Sequence, residues 1–242
     1  MAEKHRLRLN RAGTIINLTA NKQESNLGRA LKRVIEKLAD EFDVELRHES
    51  RWMLDGIVEH MRKNFPDVEF FDPHPGTFIR PDGGILYIKR RNSEELLPIL
   101  ISEVKNQGTN DLRAQEGKPK QAKGNAIERL GKNVIGFRTV MLTESIMPFV
   151  CFGYGIDFEE SSSILDRVAT IAMFGPLNTV NVVNLGDSGG FNRGSFFFRP
   201  EEWTELEMEA IMYDIASRAI HYYIAKYGKQ AFATDEHIAH DN

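Results

Sequence analysis

The chain lacks the residues on which several common functional classes depend. Its 242 residues include a single cysteine, Cys151. No intramolecular disulfide framework can form, and a reducing cytoplasm is the expected home. Cys151 lies in the apolar run Pro148–Phe152 and reads as a small core residue. The first eleven residues are charged and have no apolar signal-peptide core. One long uncharged stretch, Val168–Gly186, is broken by Gly175-Pro176 and carries Asn178, Asn181 and Asn184, which excludes a membrane span. The histidines (His5, His48, His60, His74, His221, His237, His240) have no metal-like spacing. No Gly-Lys-Ser/Thr follows Gly186–Gly190, so that segment reads as a turn and not a phosphate loop. There is no internal repeat and no linker dividing the chain into two globular units.

At 41% apolar content, the chain can bury one large core. The net charge of −4 gives no hint of a nucleic-acid partner, but its distribution does. Residues 1–33 carry Lys4, Arg6, Arg8, Arg11, Lys22, Arg29, Lys32 and Arg33 against Glu3 and Glu24. Residues 105–138 are similarly basic, and opposing acid gathers from Glu201 to Asp214. Clustered basic charge on an acidic protein fits a phosphate-binding face, and equally fits solvated loops and helix faces.

Residues 1–22 read as a flexible basic arm, followed by a single domain over 23–242. Helical spacing begins with Leu27, Ala30, Leu31, Val34, Leu38 and Phe42, with Ser25 or Asn26 as N-cap. A second helix carries Leu54, Ile57, Val58, Met61 and Phe65 and stops before Pro66. Asp55 and Glu59 lie one turn apart on it, as on a solvated face. Strands are expected at Val68–Phe71, 77–80, 85–89, 96–105, Phe149–Phe152, Val180–Val183 and Phe196–Phe198. The 96–105 run does not alternate, so both its faces should be buried. Residues 106–123 form an exposed loop, and a helix runs from near Asn125 toward Thr143. Ser161–Ser163 caps another helix, and a last helix spans Glu201 to about Tyr227. Trp52 and Trp203 read as packing residues at helical positions. Alternating strands and helices indicate an α/β fold.

The chemistry gathers between Arg80 and Asn133. Two residues apart on a strand, Glu103 and Lys105 share a face. Asp82, at the turn Pro81-Asp82-Gly83-Gly84, can reach a neighbouring strand end. Two carboxylates and a main-chain carbonyl suit Mg²⁺, which can activate water and stabilise charge on a phosphodiester. A lysine beside them can orient that water or neutralise developing charge. The same residues also fit a turn aspartate and an ordinary Glu–Lys pair. Gly124-Asn125-Ala126 puts an asparagine at a helix tip, where its amide can bond adenine N6 and N7 in the major groove. A capped surface helix with a charged pair, Glu128 and Arg129, is the plainer alternative.

Together, Pro81-Asp82-Gly83-Gly84-Ile85, Glu103-Val104-Lys105-Asn106-Gln107-Gly108 and Gly124-Asn125-Ala126-Ile127-Glu128-Arg129 resemble the EcoRI family of type II restriction endonucleases. Met141–Ser145, the Pro148–Phe152 strand, Leu165-Asp166-Arg167 and Ile211–Ile215 extend the resemblance across residues 50–230. It implies a PD-(D/E)xK fold, with a central mixed β-sheet flanked by helices. It also implies a homodimer, a companion DNA methyltransferase, and Mg²⁺-dependent cleavage of double-stranded DNA within a palindrome. By the family pattern Asp82 and Glu103 are metal ligands and Lys105 is the catalytic lysine. Asn125, Ala126, Glu128 and Arg129 fall on positions that read an inner AATT, with Glu128 and Arg129 also linking the subunits. Arg167 matches an arginine addressing the outer base pair. Gln121, Ala122 and Lys123 fall on an extended segment that touches the pyrimidines.

The chain departs from the pattern in places. The stretch from Lys105 to Gly124 is shorter, so the DNA-embracing arm at 106–123 should be trimmed. Ile164 replaces a second arginine three residues before Arg167. GAATTC is the expected site, with CAATTG or a relaxed flank as the other options, and 5′-phosphate ends with 5′ overhangs as products. The rival readings are a catalytically silent sequence-specific DNA-binding protein and a DNA-repair nuclease of the same fold.

Overall fold

A computed structural model describes residues 15–106, 117, 125–158, 163–184 and 186–233. In chain order its elements are α1 (Ile15–Phe42), β1 (Leu46–Glu49), β2 (Trp52–Met53), α2 (Leu54–Asn64), β3 (Phe78–Ile79), β4 (Ile85–Lys89), β5 (Leu96–Asn106), α3 (Asn125–Val140), β6 (Phe149–Tyr154), α4 (Ser163–Ile171), β7 (Ser195–Arg199) and α5 (Glu205–Tyr227). Five strands form a mixed sheet in the order β1-β4-β5-β6-β7, and β2 and β3 form a separate ribbon. β5 pairs antiparallel with β4 and parallel with β6. This central place explains its unbroken apolar run: Ile99, Leu100, Ile101, Ser102 and Glu103 are all buried. Pro98 has no N–H for the ladder, and the β4–β5 register slips beside it, between Leu86 and Tyr87. The fold is α/β with a mixed central sheet flanked by helices, as the resemblance implied.

α1 starts ten residues before Ser25, takes in residues 15–22 that were expected in the flexible arm, and leaves Ser25 and Asn26 inside the helix. Long-range contacts hold α1 from Lys22 onward. Buried Gln23 donates from Nε2 to the Trp203 carbonyl (3.1 Å) and accepts from the Trp203 N–H (3.2 Å). The Trp203 indole in turn donates to the Gly153 carbonyl on β6 (2.9 Å). Leu27, Ala30, Val34 and Leu38 of α1 and Met208, Met212, Ala216 and Ala219 of α5 belong to one core. Several basic residues of α1 face the acid expected to oppose them. Lys22 pairs with Glu202, Arg29 with Glu205, and Arg33 with Glu205 and Glu209. These exposed pairs contribute little to stability, but they place much of the described N-terminal basic charge against α5 and Glu202 before it, and not on an open phosphate-binding face.

Other expectations need correction. Val68–Phe71 forms no strand, and Val68 and Phe71 are 51% and 87% exposed, with no strand among the described residues paired to them. Val180–Val183 is irregular apart from a single bridge between Val183 and Ile146. Trp52 lies in β2, edge-on to the Tyr87 ring, and Trp203 precedes α5; neither is helical. α5 begins at Glu205 because Thr204 caps it, with Glu207 completing a reciprocal capping box. Among the described residues no helix is long and apolar enough to cross a membrane. The 106–123 segment lies outside the described residues except for Asn106 and Gly117, as do residues 1–14 of the arm and Ser161 and Ser162.

Candidate active site

The turn expected to carry Asp82 is tied to β5 like a short extra rung. The Gly83 N–H donates to the Ser102 carbonyl (2.9 Å) and the Ser102 N–H to the Gly84 carbonyl (3.3 Å). The Val104 N–H donates to Asp82 Oδ2 (3.2 Å), so the carboxylate stands where the next ladder acceptor would be. The turn needs both glycines. A Cβ on Gly83 would come within 2.1 Å of Ser102 Oγ. Gly84 has φ +74°, and a Cβ there would meet the Glu49 carbonyl oxygen at 2.5 Å. Gly84→Ala is therefore expected to destabilise the fold by about 1–3 kcal/mol through left-handed strain and overpacking. Urea unfolding of the two proteins checks this, and equal midpoints would mean that the turn relaxes at no cost.

Asp82, Glu103 and Lys105 come together at the C-terminal end of β5. Lys105 Nζ lies 2.6 Å from Glu103 Oε1, 2.9 Å from Asp82 Oδ2 and 3.1 Å from the Val104 carbonyl. Three hard oxygens thus converge on one cationic point. Glu103 is 1% exposed. Burial pushes its pKa up, Lys105 pulls it down, and Asn133 also favours the charged form. Burial opposes the Lys105 ammonium, but Glu103 and then Asp82 outweigh it and hold that pKa above the ordinary lysine value. Cys151, opposite Glu103 on β6, is fully buried, and burial raises its thiol pKa, so it is a core residue.

The DNA-facing candidates sit apart from this centre in sequence. Asn125 is the first residue of α3, whose Ile127 and Leu130 are buried while Glu128 and Arg129 are exposed and Ala126 is half-buried. Arg167 is exposed on α4, and Ile164, one turn earlier, is buried in the core. Gln121, Ala122 and Lys123 lie outside the described residues.

Three residues given no role from sequence stand at the centre. Asn133 of α3 donates to both Glu103 oxygens (3.1 and 3.3 Å); its place one turn beyond Arg129 was the available signal. His48 Nε2 lies 2.9 Å from the Gly83 carbonyl and buttresses the Asp82 turn. Glu24 of α1 has a pKa raised by burial and then by Asp82, with Lys105 and Arg80 pulling it down, so it feels the site. Among the described residues no three His, Cys, Asp or Glu side chains gather as a metal-binding group. A cation here would rest on Asp82, Glu103, the Val104 carbonyl and water. That oxygen-only set fits Mg²⁺, which keeps several of its waters.

The model of the restriction endonuclease EcoRI family matches residues 10–230. The chain belongs to the EcoRI family. It is 28% identical to the type II restriction enzyme RsrI of Cereibacter sphaeroides, over 86% of this chain and 87% of that one. It is 27% identical to the type II restriction enzyme EcoRI of Escherichia coli, over 91% and 92% of the two chains. As a member of the EcoRI family, the protein is a type II restriction endonuclease, a site-specific deoxyribonuclease acting on DNA with a divalent metal cofactor.

Proposed function

We propose that the protein is a Mg²⁺-dependent homodimeric endonuclease that cleaves both DNA strands within a palindrome centred on AATT, GAATTC first. The observation that carries the reading is the convergence of Asp82, Glu103 and the Val104 carbonyl on Lys105 Nζ. In this reading Asp82, Glu103 and the carbonyl hold the metal. When bound, Mg²⁺ supplies Lewis-acid stabilisation of phosphate charge and a lowered pKa for water. Lys105 neutralises charge growing on the phosphate oxygens or orients the attacking water. Water adds to phosphorus as the P–O3′ bond breaks, and the departing O3′ takes up a proton, leaving 5′-phosphate and 3′-hydroxyl ends. Each subunit cuts one strand, and centres outside the AATT core produce 5′ overhangs.

Asn125, Ala126, Glu128 and Arg129 on α3 read the inner bases, with Glu128 and Arg129 at the subunit boundary. Arg167 addresses the outer pair, and Gln121, Ala122 and Lys123 touch the pyrimidines. A host cell expressing the enzyme in its cytoplasm needs a methyltransferase of matching specificity to protect its own DNA.

The test is digestion of a fully sequenced DNA by the purified protein, with Mg²⁺ and with EDTA, sequencing every fragment end. Discrete ends at one AATT-centred palindrome, only with the metal, are expected. Specific binding without cutting would indicate a silent binder. Ends scattered without sequence would indicate a repair-type nuclease and remove the base-reading roles.

A further inference from the structure

Among the described residues two side chains donate to Glu103, and they differ in kind. Lys105 divides its ammonium among Glu103, Asp82 and the Val104 carbonyl, and it occupies the point toward which a metal cation would be drawn. Asn133 brings no charge, and its Nδ2 spans both carboxylate oxygens at 3.1 and 3.3 Å. It therefore sets the rotation of the carboxylate whichever cation faces it.

Asn133 is carried on α3, the helix that opens at Asn125. At 1.5 Å per residue the two asparagines are about 12 Å apart along the axis. The intervening helix is anchored by Ile127 and Leu130, and beyond it by Val134 and Phe137, all buried. Asparagine is a poor helix former with no local reason to sit mid-helix. Its bond to Glu103, 30 residues away in the chain, is what the position supplies.

We propose that Asn133 is the positioning residue through which the DNA-reading helix holds the Glu103 carboxylate in its metal-binding orientation. This rests on the reading of Asp82 and Glu103 as metal ligands and of α3 as the recognition helix. Outer partners of metal-binding carboxylates alter metal affinity or activity by about 10–100-fold when removed.

The test compares wild type with Asn133→Ala in three measurements on the intact protein. These are Mn²⁺ affinity by electron paramagnetic resonance, binding of an AATT-centred duplex in EDTA, and single-turnover cleavage across a Mg²⁺ titration. The expected result is Mn²⁺ binding weakened about 10–100-fold, with a matching rise in half-saturating Mg²⁺. Metal-free duplex binding should stay within about threefold, because no recognition contact is removed. Wild-type Mn²⁺ affinity and Mg²⁺ dependence in the variant would overturn the proposal. So would parallel loss of metal and duplex binding, which is what a merely structural helix residue would produce. Should Asn133→Ala not fold, Asn133→Gln, which displaces the donor by one methylene, carries the same comparison. A wild-type protein that binds Mn²⁺ yet cuts no DNA would remove the proposed function, while the Mn²⁺ comparison would still decide the role of Asn133.

Discussion

Glu103→Gln is expected to lower the single-turnover cleavage rate by about 10³-fold or more and to leave specific duplex binding within a few-fold. The substitution replaces a donor oxygen with an amide N–H at a point 2.6 Å from a lysine ammonium. Lewis-acid stabilisation is worth several kcal/mol, and each 1.36 kcal/mol is a decade of rate. The fold should tolerate the change. A buried charge is removed, the amide oxygen in the Oε2 place can still accept from Asn133 (3.3 Å), and Lys105 keeps Asp82 and the Val104 carbonyl. Lys105→Ala would be a poorer probe, because it strips the counter-charge from a carboxylate that is 1% exposed. Breaking a buried pair in that way costs about 3–5 kcal/mol and can unfold the site. Cleavage assays beside metal-free binding assays separate the outcomes, and cleavage retained by Glu103→Gln would remove the metal site.

Asn125→Ala should weaken specific binding by about 1–3 kcal/mol per half-site, the worth of a bidentate asparagine–adenine contact. The proposed dimer would engage two half-sites, so the loss in a symmetric palindrome would be felt twice. Asn125 stands at the start of α3, and loss of a cap there would lower stability without changing discrimination between base sequences. The measurement is competition between AATT-centred duplexes and duplexes altered at the inner adenines. Discrimination equal to wild type would end the assignment of Asn125, whatever happened to overall affinity. A uniform loss across all sequences would point to phosphate contact in place of base reading.

The contrast between what was legible in the chain and what was not follows the range of the interactions. β5 is readable because the six-residue apolar run Leu96–Ile101 declares burial on both faces, and its partners merely supply the cover. The start of α3 is readable from Gly124-Asn125-Ala126, and the core of α5 from apolar spacing. The start of α5 was misplaced by four residues, although Thr204 and Glu207 carry the capping signal. Val68–Phe71 and Val180–Val183 have strand-like composition, but a strand needs a neighbour, and composition does not reveal one. β1 is illegible in the sequence for the converse reason. Leu46-Arg47-His48-Glu49 has little apolar character, yet the free edge of β4 recruits it. α1 before Ser25 includes Gln23, whose bond to Trp203, 180 positions away, local spacing cannot express.

By itself, the sequence determined the chemical inventory and its local phasing. Glu103 and Lys105 fall on one face of one strand, Asp82 lies on a Gly-Gly turn, Asn125 opens a helix, and the motif order carries family membership. The shared strand face of Glu103 and Lys105 follows from a backbone period of 2 residues acting over a few neighbours, and the family likeness from motifs that each span a few consecutive residues. Only the tertiary structure decided that Asp82 lies against Lys105, that Asn133 grips Glu103, and that the basic N-terminal helix spends its charge on α5. Those outcomes rest on the packing of the sheet against its helices, which brings together groups from 23 to 180 positions apart. Contacts of that range depend on the whole fold closing at once, so no local stretch of the chain records them.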